Sequence, residues 1–177
     1  MKREEVAVFE YVEEVNKLMR DGGLFLVSKG KEGPANAMTI GWGFLGTMWR
    51  KPVFVVAVRK SRHTFKLLEE SDSFTVCLPA EGHEEWLDVC GTKSGRDMDK
   101  FKELGMAEEQ SMKVKAPFIG ECPVHYECEI IYKKMLEPGE LKKIIEDDVY
   151  PNKDMHMLYY GEVKACYATE DADKELA

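Results

Sequence analysis

Between Glu4 and Arg20, the apolar residues Val8, Tyr11, Val12, Val15, Leu18 and Met19 recur at steps of three and four, with charges between them. That spacing is one face of a helix and predicts a helix over about 4–20. Asp21-Gly22-Gly23 halts it. From there to Pro79 the pattern is that of strands. Leu24–Ser28 is a short apolar run, GKEGP reads as a turn, and Ala35–Ile40 follows. Val53–Val58 is apolar at every position, which fits a strand covered on both faces. Ser73–Leu78 reads as a further strand. The intervening SRHTFKLLEES reads as a short helix capped by Ser61 or Thr64. Residues 82–105 predict helix, loop, helix. Val124–Leu136 and Met155–Ala168 are long strand candidates, rich in β-branched and aromatic residues. LKKIIEDD lies in a short helix between them, and the polar tail 170–177 is expected to fray. Many strands with short helical insertions predict a mainly β chain, an antiparallel barrel decorated with helices.

The stretch GWGFLG at 41–46 matches G-x-G-x-x-G, the dinucleotide fingerprint. The fingerprint has a mechanism only where its last glycine opens a helix whose N-terminus meets a pyrophosphate. Here a helix starting at Gly46 would meet Pro52 after about one turn. Nor does an acidic residue follow about 20 positions on. A Rossmann site is not expected.

Composition narrows the picture further. A chain of 177 residues is expected to form one domain, 1–177, that buries its core without metal or disulfide staples. The longest apolar run, Val53–Val58, is far too short to span a membrane. The charged start MKREEVAVFE lacks the apolar core of a secretion signal, so a cytoplasmic location is expected. A formal net charge of −8 argues against a nucleic-acid partner. Five cysteines without a C-x-x-C pair argue against a four-thiolate zinc site, so no metal is expected. They read as buried free thiols.

Two stretches carry candidate chemistry. Arg59-Lys60-Ser61-Arg62-His63-Thr64 places three permanent cations and two hydroxyls between a buried strand and a helix start. Forked guanidinium donors, short hydroxyl donors and the free amides of a helix N-terminus together suit a phosphate. A solvated turn with Ser61 as the helix cap is the alternative. In CGTKSGRDMDKF, Gly91 and Gly95 bracket Thr92, Lys93 and Ser94, a loop whose backbone can approach a ligand closely. It lacks the P-loop spacing. An ordinary connector, with Asp97 and Asp99 capping the next helix, is the alternative there. No G-x-S-x-G or H-E-x-x-H is present. His125 and His156, both in β-like stretches, read as structural. Trp42 and Trp49 flank the glycine stretch and could cover a flat ring.

Taken together, NAMTIGWG, PVFVVAVRKSRHTFKLLEES, SFTVCLP and CGTKSGRDMDKF resemble the flavin-reductase-like family of FMN-binding split-barrel proteins, in particular its flavoredoxin-like branch. The resemblance runs from Leu24 to Phe101 and continues more loosely through APFIGECPVHYECEI to HMLYYGEV. It implies a six-stranded antiparallel Greek-key split β-barrel and a homodimer with FMN near the interface. It also implies an oxidoreductase passing electrons from NADH or NADPH through flavin. Carried over by residue, Asn36, Ala37, Met38 and Thr39 would line the flavin through backbone and hydroxyl contacts. Arg59, Ser61, Arg62 and Thr64 would surround its phosphate. Cys77 and Leu78 would lie beside the ring, and Thr92, Lys93, Ser94 and Gly95 would close over it. The family often has Asn where this chain has Cys77. GWGFLG would carry a barrel strand into a loop near the flavin. Lys93 is the residue expected to tune the ring, and no dedicated acid or base is assigned. A non-enzymatic electron carrier reduced by a partner protein, and a split barrel holding pyridoxal phosphate, are the rival readings.

Overall fold

The computed structural model describes residues 2–176. In chain order the elements are β1 (Arg3–Val6), α1 (Val12–Asp21), β2 (Leu24–Ser28), β3 (Asn36–Ile40), β4 (Gly43–Met48), β5 (Lys51–Arg59), α2 (His63–Glu70), β6 (Ser73–Leu78), α3 (Glu84–Thr92) and α4 (Lys100–Leu104). The two-residue strands β7 (Glu108–Glu109) and β8 (Phe118–Ile119) follow, then β9 (Val124–Met135), α5 (Lys143–Val149), β10 (His156–Thr169) and α6 (Ala172–Glu175). Six strands run side by side in the order β3-β2-β6-β9-β10-β5, all antiparallel. β4 extends this run on β5, and β1 pairs with β10. The six expected strands are thus joined by two more in one antiparallel split barrel.

The core forms because the strand faces that turn inward are apolar throughout. Leu24, Leu26, Phe54, Val56, Val58, Phe74, Val76, Leu78, Tyr126 and Tyr159 meet in one buried cluster. Each fully buried side chain of this size contributes roughly 1.5–3 kcal/mol. Gly161 marks a close crossing within this core. A Cβ there would stand 2.6 Å from the Phe74 ring and 2.7 Å from Cys128 Cβ. A second cluster, around Phe25, Ala37, Cys77, Cys90, Phe118 and Cys122, packs the α3–α4 insertion against the outer face of β2 and β3. All five cysteines are buried and free.

Two termini differ from the sequence reading. The helix expected over 4–20 begins only at Val12, because Arg3–Val6 pairs with Cys166–Thr169 of β10, the part of that strand β5 leaves uncovered. Arg3 fastens this strand by donating to the carbonyls of Gly120, Cys122 and Pro123. The tail is not frayed through its described part. Ala172 at the start of α6 and Leu176 just after its end both insert into the main core. Residue 177 lies outside the described residues.

GWGFLG is also arranged differently from the expectation. Gly41 and Trp42 make a tight connection, and Gly43–Met48 is itself β4, hairpinned to β5. Gly43 is required by close approach, since a Cβ there would stand 2.2 Å from the Val55 carbonyl oxygen. No helix follows, so the dinucleotide geometry is absent from this stretch.

Candidate functional site

The strand-to-helix turn after β5 supplies one wall of a cleft of about 420 Å³. That volume lies in the range of small-molecule sites. Apolar β5 ends at Arg59, and α2 starts with Arg62 at its N-cap position. No side chain caps α2, and no acidic residue occupies its first turn. The first amides of the helix therefore keep their donor capacity, and the dipole end is not neutralised. The cap expected of Ser61 or Thr64 does not form. Ser61 donates its hydroxyl to the Asp154 carboxylate instead. Thr64 is buried and accepts from Asn36 Nδ2 at 2.9 Å. Because Asn36 fills an acceptor position on that oxygen, the Thr64 hydroxyl proton stays available to a ligand.

The opposite wall is the end of α3, which takes in Gly91 and Thr92 of the expected loop, and the loop that follows it from Lys93. Thr92, Lys93, Ser94 and Gly95 all line the cleft, as expected, together with Arg96. Gly95 lies so close over β3 that a Cβ there would stand 2.1 Å from Asn36 Oδ1 and 2.9 Å from His63 Cδ2. Arg62 reaches across to donate to the Gly91 carbonyl at 3.0 Å, and Arg96 reaches back to the Ser61 carbonyl at 3.2 Å. The two walls are thus tied to each other through guanidinium groups. Asp99 does cap α4, accepting from the Lys102 amide.

Lys100 completes the floor and was not legible in the sequence. It is 3% exposed, and its ammonium donates to the carbonyls of Ala37 at 2.8 Å and Cys90 at 2.9 Å. Burial lowers its pKa. Among the described residues three arginines, Arg59, Arg62 and Arg96, and two lysines, Lys93 and Lys100, line the cleft against the carboxylate of Asp154. In a chain of net charge −8, that concentration of positive charge marks an anion site. His63 adds a buried Nδ1 with no protein partner. Burial, then the Arg96 charge, holds its pKa below the usual value.

A second recess of about 240 Å³ adjoins the first and shares Met38, Arg59 and Arg62 with it. Thr39, Trp42, Ala57 and His156 are among its other walls. The Arg59 guanidinium is fixed by the carbonyls of Asp154 and Val149 and lies 5.1 Å from the Tyr150 ring centroid. His156 Nδ1 is 2.7 Å from the Tyr150 hydroxyl, and the imidazole packs 4.7 Å from Trp42. Burial, then the Arg59 charge, brings the His156 pKa down to about 4, so the ring is neutral at pH 7. Buried and bonded to Tyr150, His156 fits the structural reading, and it also lines the recess. His125 is structural as expected, buried at 3.7 Å against Phe118 and beside Glu127.

Three expected residues do not line either recess. Ala37 turns its side chain into the second apolar cluster and presents only its carbonyl, which Lys100 takes. Cys77 is buried in that same cluster, within reach of Thr75. Leu78 belongs to the main core. The cause is that the main core packs on one face of β6 and the second apolar cluster on the other. Thr39 does line the second recess, but its hydroxyl is engaged with the Leu87 carbonyl at 2.6 Å.

An antiparallel split barrel with a cation-lined cleft between a strand-to-helix turn and a glycine-bracketed loop defines a class of small-molecule-binding domain. The chain belongs to the family of flavin reductase like domains, whose model matches residues 20–177. It is 30% identical over 139 residues to an uncharacterized protein of Archaeoglobus fulgidus, covering 78% of this chain and 68% of that protein. Among solved structures it is similar to a flavoredoxin from Methanosarcina acetivorans, with TM-score 0.64 and 27% identity. That match covers 84% of this chain and 69% of the other. It also matches the FMN-binding domain of a flavin reductases-like enzyme from Shewanella baltica, with TM-score 0.65 and 20% identity, covering 94% and 77% of the two chains.

Proposed function

We propose that the cleft binds FMN and that the chain is an oxidoreductase of the flavin reductase type, passing electrons from NAD(P)H through the flavin to an acceptor. The observation that carries this reading is the uncapped start of α2, with Arg62 and Thr64 beside it, facing a cationic loop. The donor set fits a phosphate monoester, which needs several short donors and a net positive field. Asn36 holds Thr64 in position, Ser61 and Arg59 shape the turn, and Thr92, Lys93, Ser94 and Gly95 cover the cleft. Met38 separates the two recesses. When bound, FMN supplies the hydride and electron chemistry, and the protein supplies binding, orientation and electrostatics. The adjoining recess, with Trp42, neutral His156 and Arg62, supports a nicotinamide donor there. A flat ring and an anionic group would both find partners in it.

The likeness to a flavoredoxin favours one second reading, a flavin-bound electron carrier reduced by a partner protein. The acidic surface suits docking on a basic partner. Anaerobic titration of the FMN-loaded protein with NADH and then NADPH separates the two. Bleaching of the flavin band at stoichiometric nicotinamide is expected. A band that persists with both donors, yet bleaches with dithionite, would leave the carrier reading in place. Protein that binds no FMN would end both.

We also propose a homodimer. Phe44, Trp49 and Tyr132 are about half exposed, and Trp49 packs edge-on against Tyr132 at 5.9 Å, an aromatic surface that a second copy would cover. Light scattering at micromolar concentration is expected to return twice the chain mass, and a monomer mass would count against it. The five buried thiols suit a reducing compartment, and the cytoplasm is the proposed location.

A further inference from the structure

Among the described residues Lys100 is the one buried lysine. Its two acceptors, the carbonyls of Ala37 and Cys90, are neutral, and no carboxylate pairs with it. An ammonium has three N–H donors, so one remains beyond these two bonds, on a residue that lines the cleft. Burying such a charge without a counter-ion is costly. The Arg62 cation opposes its charge, and the buried Cys90 thiol is neutral, so neither offers compensation. A negative charge in the cleft would supply the compensation these partners lack.

The phosphate has its own donors in the turn between β5 and α2. Lys100 comes from a different wall, tied to β3 and to the end of α3. Lys93, expected to act on the ring, is exposed on the rim, where water screens it. A fixed cation in a site closed to water acts far more strongly on a charge that develops beside it.

We infer that Lys100 is the positioning residue whose buried charge favours the reduced flavin over the oxidised one. The inference rests on the proposed FMN site. A hydride, two electrons and one proton taken from the nicotinamide, adds one negative charge to a neutral ring. The Lys100 ammonium stabilises that product and leaves the oxidised ring nearly unaffected. Lys100 also holds the strand carrying Asn36 and the helix preceding Lys93 at a fixed separation.

The experiment measures dissociation constants for oxidised and for dithionite-reduced FMN in wild type, Lys100→Met, Lys100→Gln and Lys93→Met. The glutamine variant keeps N–H donors for the two carbonyls and loses only the charge, so it serves if the methionine variant fails to fold. Removing the Lys100 charge is expected to weaken reduced FMN about tenfold more than oxidised FMN, which lowers the two-electron potential by about 30 mV. Lys93→Met is expected to shift that ratio by less than about twofold, the residue being in contact with solvent. Equal losses for both redox forms, or a larger shift in Lys93→Met, would overturn the inference while leaving the FMN site standing. Wild type that binds neither form would instead overturn the site itself.

Discussion

Arg62→Ala is expected to weaken FMN binding at least tenfold and to weaken riboflavin binding much less. Arg62 stands at the N-cap position of α2 without a carboxylate partner, on the lip of the cleft. A hydrogen bond to a charged group contributes about 1.5–3 kcal/mol, which corresponds to about 10- to 150-fold in affinity. Riboflavin lacks the phosphate and should not register that loss. Arg62 also donates to the Gly91 carbonyl, so alanine loosens the loop as well. The riboflavin measurement reports that part separately, since loop closure serves both ligands. Adding Thr64→Ala should weaken FMN further, because it removes the hydroxyl that Asn36 leaves free to donate. Calorimetric titration of the three proteins with both ligands decides the matter. FMN affinity that survives the double substitution would place the phosphate elsewhere.

Gly95→Ala is the second change with a large expected effect. The added methyl would stand 2.1 Å from Asn36 Oδ1 and 2.8 Å from its Cγ. Asn36 is buried and its amide nitrogen is committed to Thr64, so it cannot swing away without releasing that hydroxyl. The loop at Lys93 is exposed while Asn36 is buried in β3, so the loop is expected to yield first. Overpacking of this kind costs about 1–3 kcal/mol. The cost falls on the closed loop, so FMN affinity should drop roughly 5- to 150-fold while the thermal midpoint of the ligand-free protein changes little. A variant that melts earlier but binds FMN as tightly as wild type would show that the loop is scaffolding and does not cover the ligand.

Much of the barrel was readable one segment at a time. The continuous apolar run Val53–Val58 announced a strand covered on both sides, and the period of two or the β-branched content located β6, β9 and β10 within a residue or two at each end. Local amphipathicity misled at the N-terminus. Residues 3–6 add no apolar position to a spacing that begins at Val8, and an unpaired length of β10 offers them backbone partners that a helix would not use. At the site, the Arg59–Thr64 turn and the Thr92–Gly95 loop were legible because each packs its chemistry into one short stretch. Cys77 and Leu78 were misplaced because position along a strand does not say whether a face meets a ligand or a neighbouring element.

By itself, the sequence determined the mainly β class, the strand-to-helix turn rich in cations and hydroxyls, and the close-approach loop. Each depends on residues near one another in the chain, where spacing and side-chain type act directly on local backbone geometry. Only the tertiary structure decided that Lys100 would be buried. Its two carbonyl partners lie 63 and 10 residues away, and nothing in DMDK distinguishes it from a solvated lysine. The same holds for His156, which became neutral and cleft-facing when Arg59, Trp42 and Tyr150 closed around it from three other segments. Burial and the fields of distant charges set what an ionisable group can do, and both exist only once the chain has folded.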